Sequence, residues 1–194
     1  MIYIFTGDGK GKTSAALGVM LRGLTQGWRV SWISWYKEAA WEMSEHKLHT
    51  ILNPDTLSRL QFLPMGKGFF IQKPERTVGN TKIAPVNDAV VIDDDTPQEH
   101  KAAACGALKK ASELIKDCEL LVLDEVCNAV AEGLLEEAEV LRLLKTVGPQ
   151  GPHVILTGRS ASLGLIEKAD LVSEIVKKKH PFDAGKLAVM GLDF

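Results

Sequence analysis

The stretch Thr6-Gly7-Asp8-Gly9-Lys10-Gly11-Lys12-Thr13, set directly after the apolar run Ile2-Tyr3-Ile4-Phe5, constrains this chain more than any other feature. It reads as a strand, a glycine-rich turn and a helix start. Glycines in alternate positions let backbone N–H groups converge on one anion, and the opening turn of a helix adds unsatisfied donors and the positive end of its dipole. Lys12 supplies a point charge for phosphates and Thr13 a hydroxyl for a divalent metal. The pattern G-x-x-x-x-G-K-[ST] is met except at its first position, where Thr6 stands. Ser14 to Leu24 can continue as a helix. The expected ligand is a nucleotide polyphosphate, held by Gly7, Asp8, Gly9, Lys10, Gly11, Lys12, Thr13 and Ser14.

Apolar runs recur along the chain with helical segments between them, which is the signature of a parallel sheet covered on both faces. Buried strands are expected at 2–5, 29–35, 59–63, 119–124, 153–157 and 170–176. Helical spacing of Leu, Ala, Ile and Val predicts helices over 12–26, 97–117, 135–147 and 161–168. Pro97 and Pro152 mark entries to elements, and Gly27, Gly148 and Gly151 act as breakers. The fold class is therefore α/β: a mostly parallel sheet of about six strands with helices on both faces, in the phosphate-loop NTPase (RecA-like) architecture. At 194 residues and 45% hydrophobic content the chain fits one nucleotide-binding domain spanning 1–194. Segment 64–96 breaks the regularity. It carries Pro64, Pro74 and Pro85 with Gly66, Gly68 and Gly79 and no sustained period, so a long functional or mobile loop is expected there.

A net charge of -2 argues against the broad basic footprint of a nucleic-acid binder, and Lys177-Lys178-Lys179 reads as a solvated surface run. Cys105, Cys118 and Cys127 are odd in number and lack C-x-x-C spacing, so reduced, mostly buried thiols are expected. The first strand begins at residue 2 and no apolar stretch approaches a membrane span, so a cytoplasmic protein without a membrane partner is expected.

Glu119-Leu120-Leu121-Val122-Leu123-Asp124-Glu125 is an apolar strand ending in two carboxylates, the Walker B pattern. Such a strand is expected beside the first one, where Asp124 and Glu125 can hold or orient a metal next to the polyphosphate. His153-Val154-Ile155-Leu156-Thr157-Gly158-Arg159 is another strand ending in a turn. Arg159 can clamp a phosphate there, although an arginine after a strand is as often an ordinary surface residue. Trp28, Trp32, Trp35, Tyr36 and Trp41 cluster closely. Trp28, Trp32 and one of the next pair are expected in the core, and Trp41 at a binding surface. Phe69 and Phe70, in the long loop, suggest a large flat ligand or a partner.

Taken together, these motifs make the chain similar to the corrinoid adenosyltransferases of the phosphate-loop type. The family's loop is T-G-[ND]-G-K-G-K-T, with Thr where Thr6 stands. Its V-x-L-D-E strand matches Val122 to Glu125, and its T-G-R matches Thr157-Gly158-Arg159. Ala169-Asp170-Leu171-Val172-Ser173-Glu174, Lys179-His180-Pro181-Phe182-Asp183-Ala184-Gly185 and Gly191-Leu192-Asp193-Phe194 follow its A-D-x-V-S-E, K-H-x-F-x-x-G and G-[IL]-[DE]-[YF] elements. Three places depart from the family. Trp35-Tyr36-Lys37-Glu38 and Ser44-Glu45 lack the glycines of F-x-K-G and Gly-Glu, and M-x-T-G-F-T-W becomes Met65-Gly66-Lys67-Gly68-Phe69-Phe70-Ile71. About 20 residues after Ile71 also have no clear family counterpart.

The resemblance implies transfer of the 5′-deoxyadenosyl group of ATP to the Co(I) of a reduced corrinoid, releasing triphosphate. It implies Lys12, Thr13, Glu125 and Arg159 as catalytic residues, and Thr13, Asp124 and Glu125 around Mg2+ (or Mn2+). Trp41, Phe69 and Phe70 are the candidates for the corrinoid side. An electron donor such as a reduced flavoprotein and a homodimer are further implications. The rival readings are a phosphate-loop NTPase or kinase that cleaves the γ-phosphate, and a non-catalytic ATP- and corrinoid-binding protein.

Overall fold

The computed structural model describes every residue except 42, 69–76, 79–80, 83–95, 187 and 194. In chain order the elements are β1 (Ile2–Thr6), α1 (Lys12–Thr25), β2 (Val30–Ser34), a 3-10 turn at Ser44–Lys47, α2 (Leu48–Ile51), α3 (Pro54–Leu57) and β3 (Leu60–Pro64). A short antiparallel pair follows, β4 (Thr77–Val78) and β5 (Thr81–Lys82). Then come α4 (Pro97–Leu114), β6 (Leu120–Asp124), α5 (Val126–Ala131), α6 (Glu137–Leu144), β7 (His153–Thr157), α7 (Leu163–Lys168) and β8 (Leu171–Glu174), with a last 3-10 turn at Pro181–Ala184.

Six strands form one sheet in the order β3-β2-β6-β7-β1-β8, with every neighbouring pair parallel. All residues of β2 and β6 are buried, because helices cover both faces. Successive side chains point to opposite faces. Trp32, Val122 and Ile155 pack on one face with Ala16, Met20 and Leu24 of α1. Ile4, Ile33, Leu121, Leu123 and Leu156 pack on the other with residues of α4, α5, α6 and α7. The apolar strand runs of the sequence are thus the trace of two cores sharing one sheet.

α4 starts where its sequence says it should. Thr96 caps the Glu99 amide, the Glu99 side chain returns to the Thr96 amide, and Pro97 fills the first turn, where its missing N–H costs nothing. Such a cap contributes about 1 kcal/mol.

Four expectations are corrected. β6 does not lie beside β1, because β7 is inserted between them. The segments expected as buried strands at 59–63 and 170–176 are the two sheet edges, with only Leu60 of β3 buried and all four residues of a shorter β8 exposed. Trp28 is only half-buried, whereas Trp35 and Tyr36 are both buried. The elements α2, α3 and the β4–β5 pair, of two to four residues, are too short to display a period and were not anticipated, and neither was the six-residue α5. Of the long loop, Met65 to Gly68 and the β4–β5 pair are described; Phe69, Phe70 and Ile71 lie outside the described residues.

Cys118 and Cys127 are buried, Cys105 is exposed, and all three are free thiols. Among the described residues no helix is long and apolar enough to cross a membrane.

Two glycines show how differently the backbone tolerates a side chain. A Cβ on Gly106, exposed in the middle of α4, meets nothing within 4 Å, whereas one on Gly66 runs into the backbone nitrogens of Tyr36 and Lys37. Gly106→Ala is expected to raise stability by about 0.5–1 kcal/mol through helix propensity. Gly66→Ala is expected to lower it by more than about 2 kcal/mol. Urea midpoints read both, and equal midpoints for the two variants would contradict this packing.

Candidate phosphate-loop site

The carboxyl ends of β1, β2, β6 and β7 meet at one edge of the sheet, and the loop of residues 7–11 rises from the first of them. Gly7 and Gly11 take positive φ values of 101° and 116°, which glycine adopts without strain. Gly9 is needed for a different reason. Its N–H donates to the Ile175 carbonyl at 2.7 Å, and a Cβ there would lie 2.6 Å from that oxygen. The Gly9 amide is therefore directed at the chain segment after β8 rather than at an anion, which corrects the expectation for that one donor. Gly11 caps α1 without a side-chain hydrogen bond, leaving the first-turn N–H groups directed out of the helix end.

Lys12 is buried, and its Nζ donates to the Gly7 and Gly9 carbonyls, both at 2.8 Å. Its pKa is lowered, mainly by burial and further by Arg159, against the pull of Glu125, Asp8 and Asp124. Asp8, Lys10 and Ser14 are exposed, and Lys10 pairs with Asp193 at 2.8 Å.

Asp124 is the hub of the site and is wholly buried. One carboxylate oxygen accepts from Thr13 Oγ1 at 2.9 Å and from Thr157 Oγ1 at 2.7 Å. The other accepts from Lys37 Nζ at 2.8 Å and, at 3.4 Å, from Ser34 Oγ, which itself accepts from the Trp32 indole. The contact to Thr13 brings the acidic strand to the loop although β7 separates β6 from β1. α1 makes this possible by packing across β1, β7, β6 and β2 on one sheet face.

Lys37 also reaches Glu45 Oε1 at 2.9 Å. Burial alone would lower its pKa, but Asp124 and Glu45 override burial and the net direction is upward. Glu125 follows Asp124 on a backbone of positive φ, with its N–H donating to Thr157 Oγ1 at 2.8 Å. Burial, with Asp124 next to it, raises its pKa to about 7 despite Lys37, Lys12 and Arg159. Arg159 is exposed on the turn after β7, and its backbone N–H is held by Asn128 Oδ1 at 2.6 Å. Trp41 is half-buried in the turn after β2, where its carbonyl meets His46 Nδ1 at 2.9 Å.

The edge therefore unites Lys12, Thr13, Asp124, Glu125 and Arg159, and it can hold a polyphosphate and a hard cation through oxygen donors. Sequence reasoning missed Lys37, Glu45 and Ser34 as parts of it. The signal for the first two was present: they are the charged members that survive in the altered F-x-K-G and Gly-Glu elements. A cleft of about 1030 Å3 opens at the opposite edge, lined by Trp28, Arg29 and His153 among others, and contains none of the expected site residues. Chemistry rather than cavity size identifies the site here.

Residues 1–194 match the family described as ATP:corrinoid adenosyltransferase BtuR/CobO/CobP. A corrinoid adenosyltransferase of Sinorhizobium sp. is 33% identical over 196 residues, covering 100% of this chain and 80% of the relative. The corrinoid adenosyltransferase CobA of Salmonella typhimurium is 32% identical over 197 residues, covering 100% of this chain and 85% of the relative. In fold, the chain is similar to a KaiC-like protein of Pyrococcus horikoshii, with TM-score 0.53 and 17% identity over 92% of this chain and 74% of that one. An all-parallel sheet with a phosphate loop at its carboxyl edge and a sequence match from end to end lead to one conclusion: the chain belongs to the ATP:corrinoid adenosyltransferase family.

Proposed function

We propose that this protein transfers the 5′-deoxyadenosyl group of ATP to the Co(I) of a reduced corrinoid, with inorganic triphosphate as the leaving group. The observation that carries this reading is the contact of Thr13 with Asp124, which joins the phosphate loop to the acidic strand, with Lys12, Glu125 and Arg159 within electrostatic reach. In the reaction the cobalt electron pair forms a bond to the ribose C5′, and the C5′–O bond breaks with its electron pair going to triphosphate. No proton transfer is required at carbon, so the protein contributes position and charge.

Lys12 and the first-turn amides of α1 neutralise the triphosphate as its charge develops, and Arg159 neutralises a further oxygen. Lys12 must exchange the Gly7 and Gly9 carbonyls for phosphate oxygens when ATP enters, and an anion there offsets the burial that lowers its pKa. The hydroxyl of Thr13 with the carboxylates of Asp124 and Glu125 forms a hard-oxygen set that suits Mg2+ or Mn2+ when phosphates complete the shell. Such an ion would stabilise the leaving triphosphate. An N–H nest reads charge rather than chain direction, so ATP can lie reversed relative to other phosphate-loop enzymes, with C5′ facing the corrinoid. Trp41, Phe69 and Phe70 are assigned to that side from the sequence. There they would exclude water and a lower axial ligand from Co(II), easing its reduction by a donor such as a reduced flavoprotein. A homodimer is proposed on the family resemblance, and a reducing cytoplasm suits three free thiols.

The reading is tested with protein, MgATP and chemically reduced corrinoid. A light-sensitive cobalt–carbon product with one triphosphate per turnover is expected, whereas ADP and phosphate would indicate a γ-phosphate-cleaving enzyme. Lys12→Ala is expected to weaken ATP binding at least about 100-fold, the loss of a buried charge-assisted contact. Isothermal titration measures it, and unchanged affinity would remove Lys12 from the phosphate site. Phe69→Ala should leave ATP affinity unchanged and cut adenosylation at least about tenfold when reduction of bound Co(II) limits the rate, a loss of about 1.4 kcal/mol. Turnover equal to wild type would remove Phe69 from the role.

The raised pKa of Glu125 carries a pH signature. Below about pH 4.5 folded and unfolded chains both keep its proton. As pH rises towards about 7 the unfolded chain ionises first, so the wild type loses stability, and above that the loss is constant. Glu125→Gln removes the effect. The variant should gain on the order of 1–3 kcal/mol over wild type between about pH 5 and about pH 8 in urea titrations. A difference independent of pH would contradict the burial of this carboxyl.

A further inference from the structure

The Lys37 ammonium is divided between two carboxylates from different parts of the chain, Asp124 and Glu45, at 2.8 and 2.9 Å. The side chains of Lys37 and Glu45 are each 7% exposed, and that of Asp124 is 0% exposed. One buried cation thus serves two buried anions, so neither pair is closed independently of the other.

The Lys37 backbone has little freedom. Tyr36 before it sits at a φ of 64°, the Lys37 N–H bonds the Trp35 carbonyl, and the Lys37 carbonyl accepts from Gly66 N–H, whose Cα is packed against this turn. What can change is how the ammonium is shared. On one side, Asp124 is bonded to Thr13 of the phosphate loop. On the other, Glu45 lies in the turn Ser44–Lys47, and this turn and its cap Met43 are knit to Trp41 by two hydrogen bonds to the Trp41 carbonyl, from Met43 N–H at 2.9 Å and with His46 Nδ1 at 2.9 Å. An unbroken polar chain therefore runs Thr13, Asp124, Lys37, Glu45 and on to the segment carrying Trp41.

We infer that Lys37 is a positioning residue that couples nucleotide occupancy of the phosphate loop to the conformation of segment 38–47. A ligand that draws on Asp124 or Thr13 weakens the hold of Asp124 on the ammonium and strengthens that of Glu45, and segment 38–47 follows. The two arrangements have the same atoms and differ in which carboxylate holds the cation, so a ligand that favours one arrangement shifts the population. The further step, that segment 38–47 receives the corrinoid and that ATP therefore prepares its binding, rests on the transferase reading above.

The test uses full-length wild type and Glu45→Gln, which keeps an acceptor for Lys37 and removes the charge. Hydrogen exchange of residues 38–47 and the dissociation constant of a Co(II) corrinoid are measured with and without saturating MgATP. In wild type, MgATP is expected to change both by about tenfold, within the usual range of coupling between sites. In Glu45→Gln, measured at MgATP concentrations that saturate the variant, both responses should fall below about twofold. A wild-type response retained in full by the variant, or a segment 38–47 indifferent to MgATP in wild type, overturns the coupling. Exchange that responds in a wild type unable to bind corrinoid supports the coupling and refutes the transferase reading. Should Glu45→Gln fail to fold, Glu45→Asp, which withdraws the carboxylate by one methylene, is expected to lose the same responses, and retention of both overturns the proposal.

Discussion

The buried carboxylate of Asp124 holds the working edge of this protein together. Thr13 from α1, Thr157 from β7, Ser34 at the end of β2 and Lys37 just after it all donate to it, so three separated parts of the chain are fixed by one side chain. A buried carboxyl is tolerable only when its acceptor positions are filled, and here both oxygens are filled by neighbours of the phosphate loop. The sheet beneath makes this possible. β6, fully buried and central, delivers Asp124 to the carboxyl edge at the level where β2 ends, with Ser34 directly beside it in register.

Around this hub the site separates into a cationic and an anionic half. Lys12 lies within the electrostatic reach of Arg159, Glu125 and Asp124, while Lys37 is held between Asp124 and Glu45. A polyphosphate with a divalent ion completes both halves at once, which explains why the loop can hold its cation on backbone carbonyls and still be poised for an anion. Function then depends on what stands across from the loop. The half-buried Trp41 is tied to Glu45 through its own short turn, so the side assigned to the acceptor is physically continuous with the side assigned to ATP.

The parts legible from sequence were those with a strong local signature. All six strands of the main sheet were foreseen from their apolar runs, and α1, α4, α6 and α7 from a 3.6-residue period. Strand order was not legible. The insertion of β7 between β1 and β6 is set by which helices cross which face, and no local pattern records it. The exposure of β8 was hidden for a related reason: Leu171 and Val172 read as core residues, and only their edge position, 37% and 39% exposed, says otherwise. Lys37 was overlooked because a lysine beside Glu38 in a polar turn looks solvated, and its two partners lie 8 and 87 residues away. Gly9 was read as a donor to an anion, when a main-chain oxygen from the far end of the chain takes its N–H.

The central claim is that the nucleotide's polyphosphate is gripped by the loop between Gly7 and Thr13, with its ribose carbon turned towards the acceptor. A crystal structure with MgATP addresses it most directly. The account predicts phosphate oxygens on Lys12 and the first-turn amides of α1, the metal ion beside Thr13 and Asp124, and C5′ exposed towards Trp41. A polyphosphate bound anywhere else, or a C5′ buried against the protein, would contradict it.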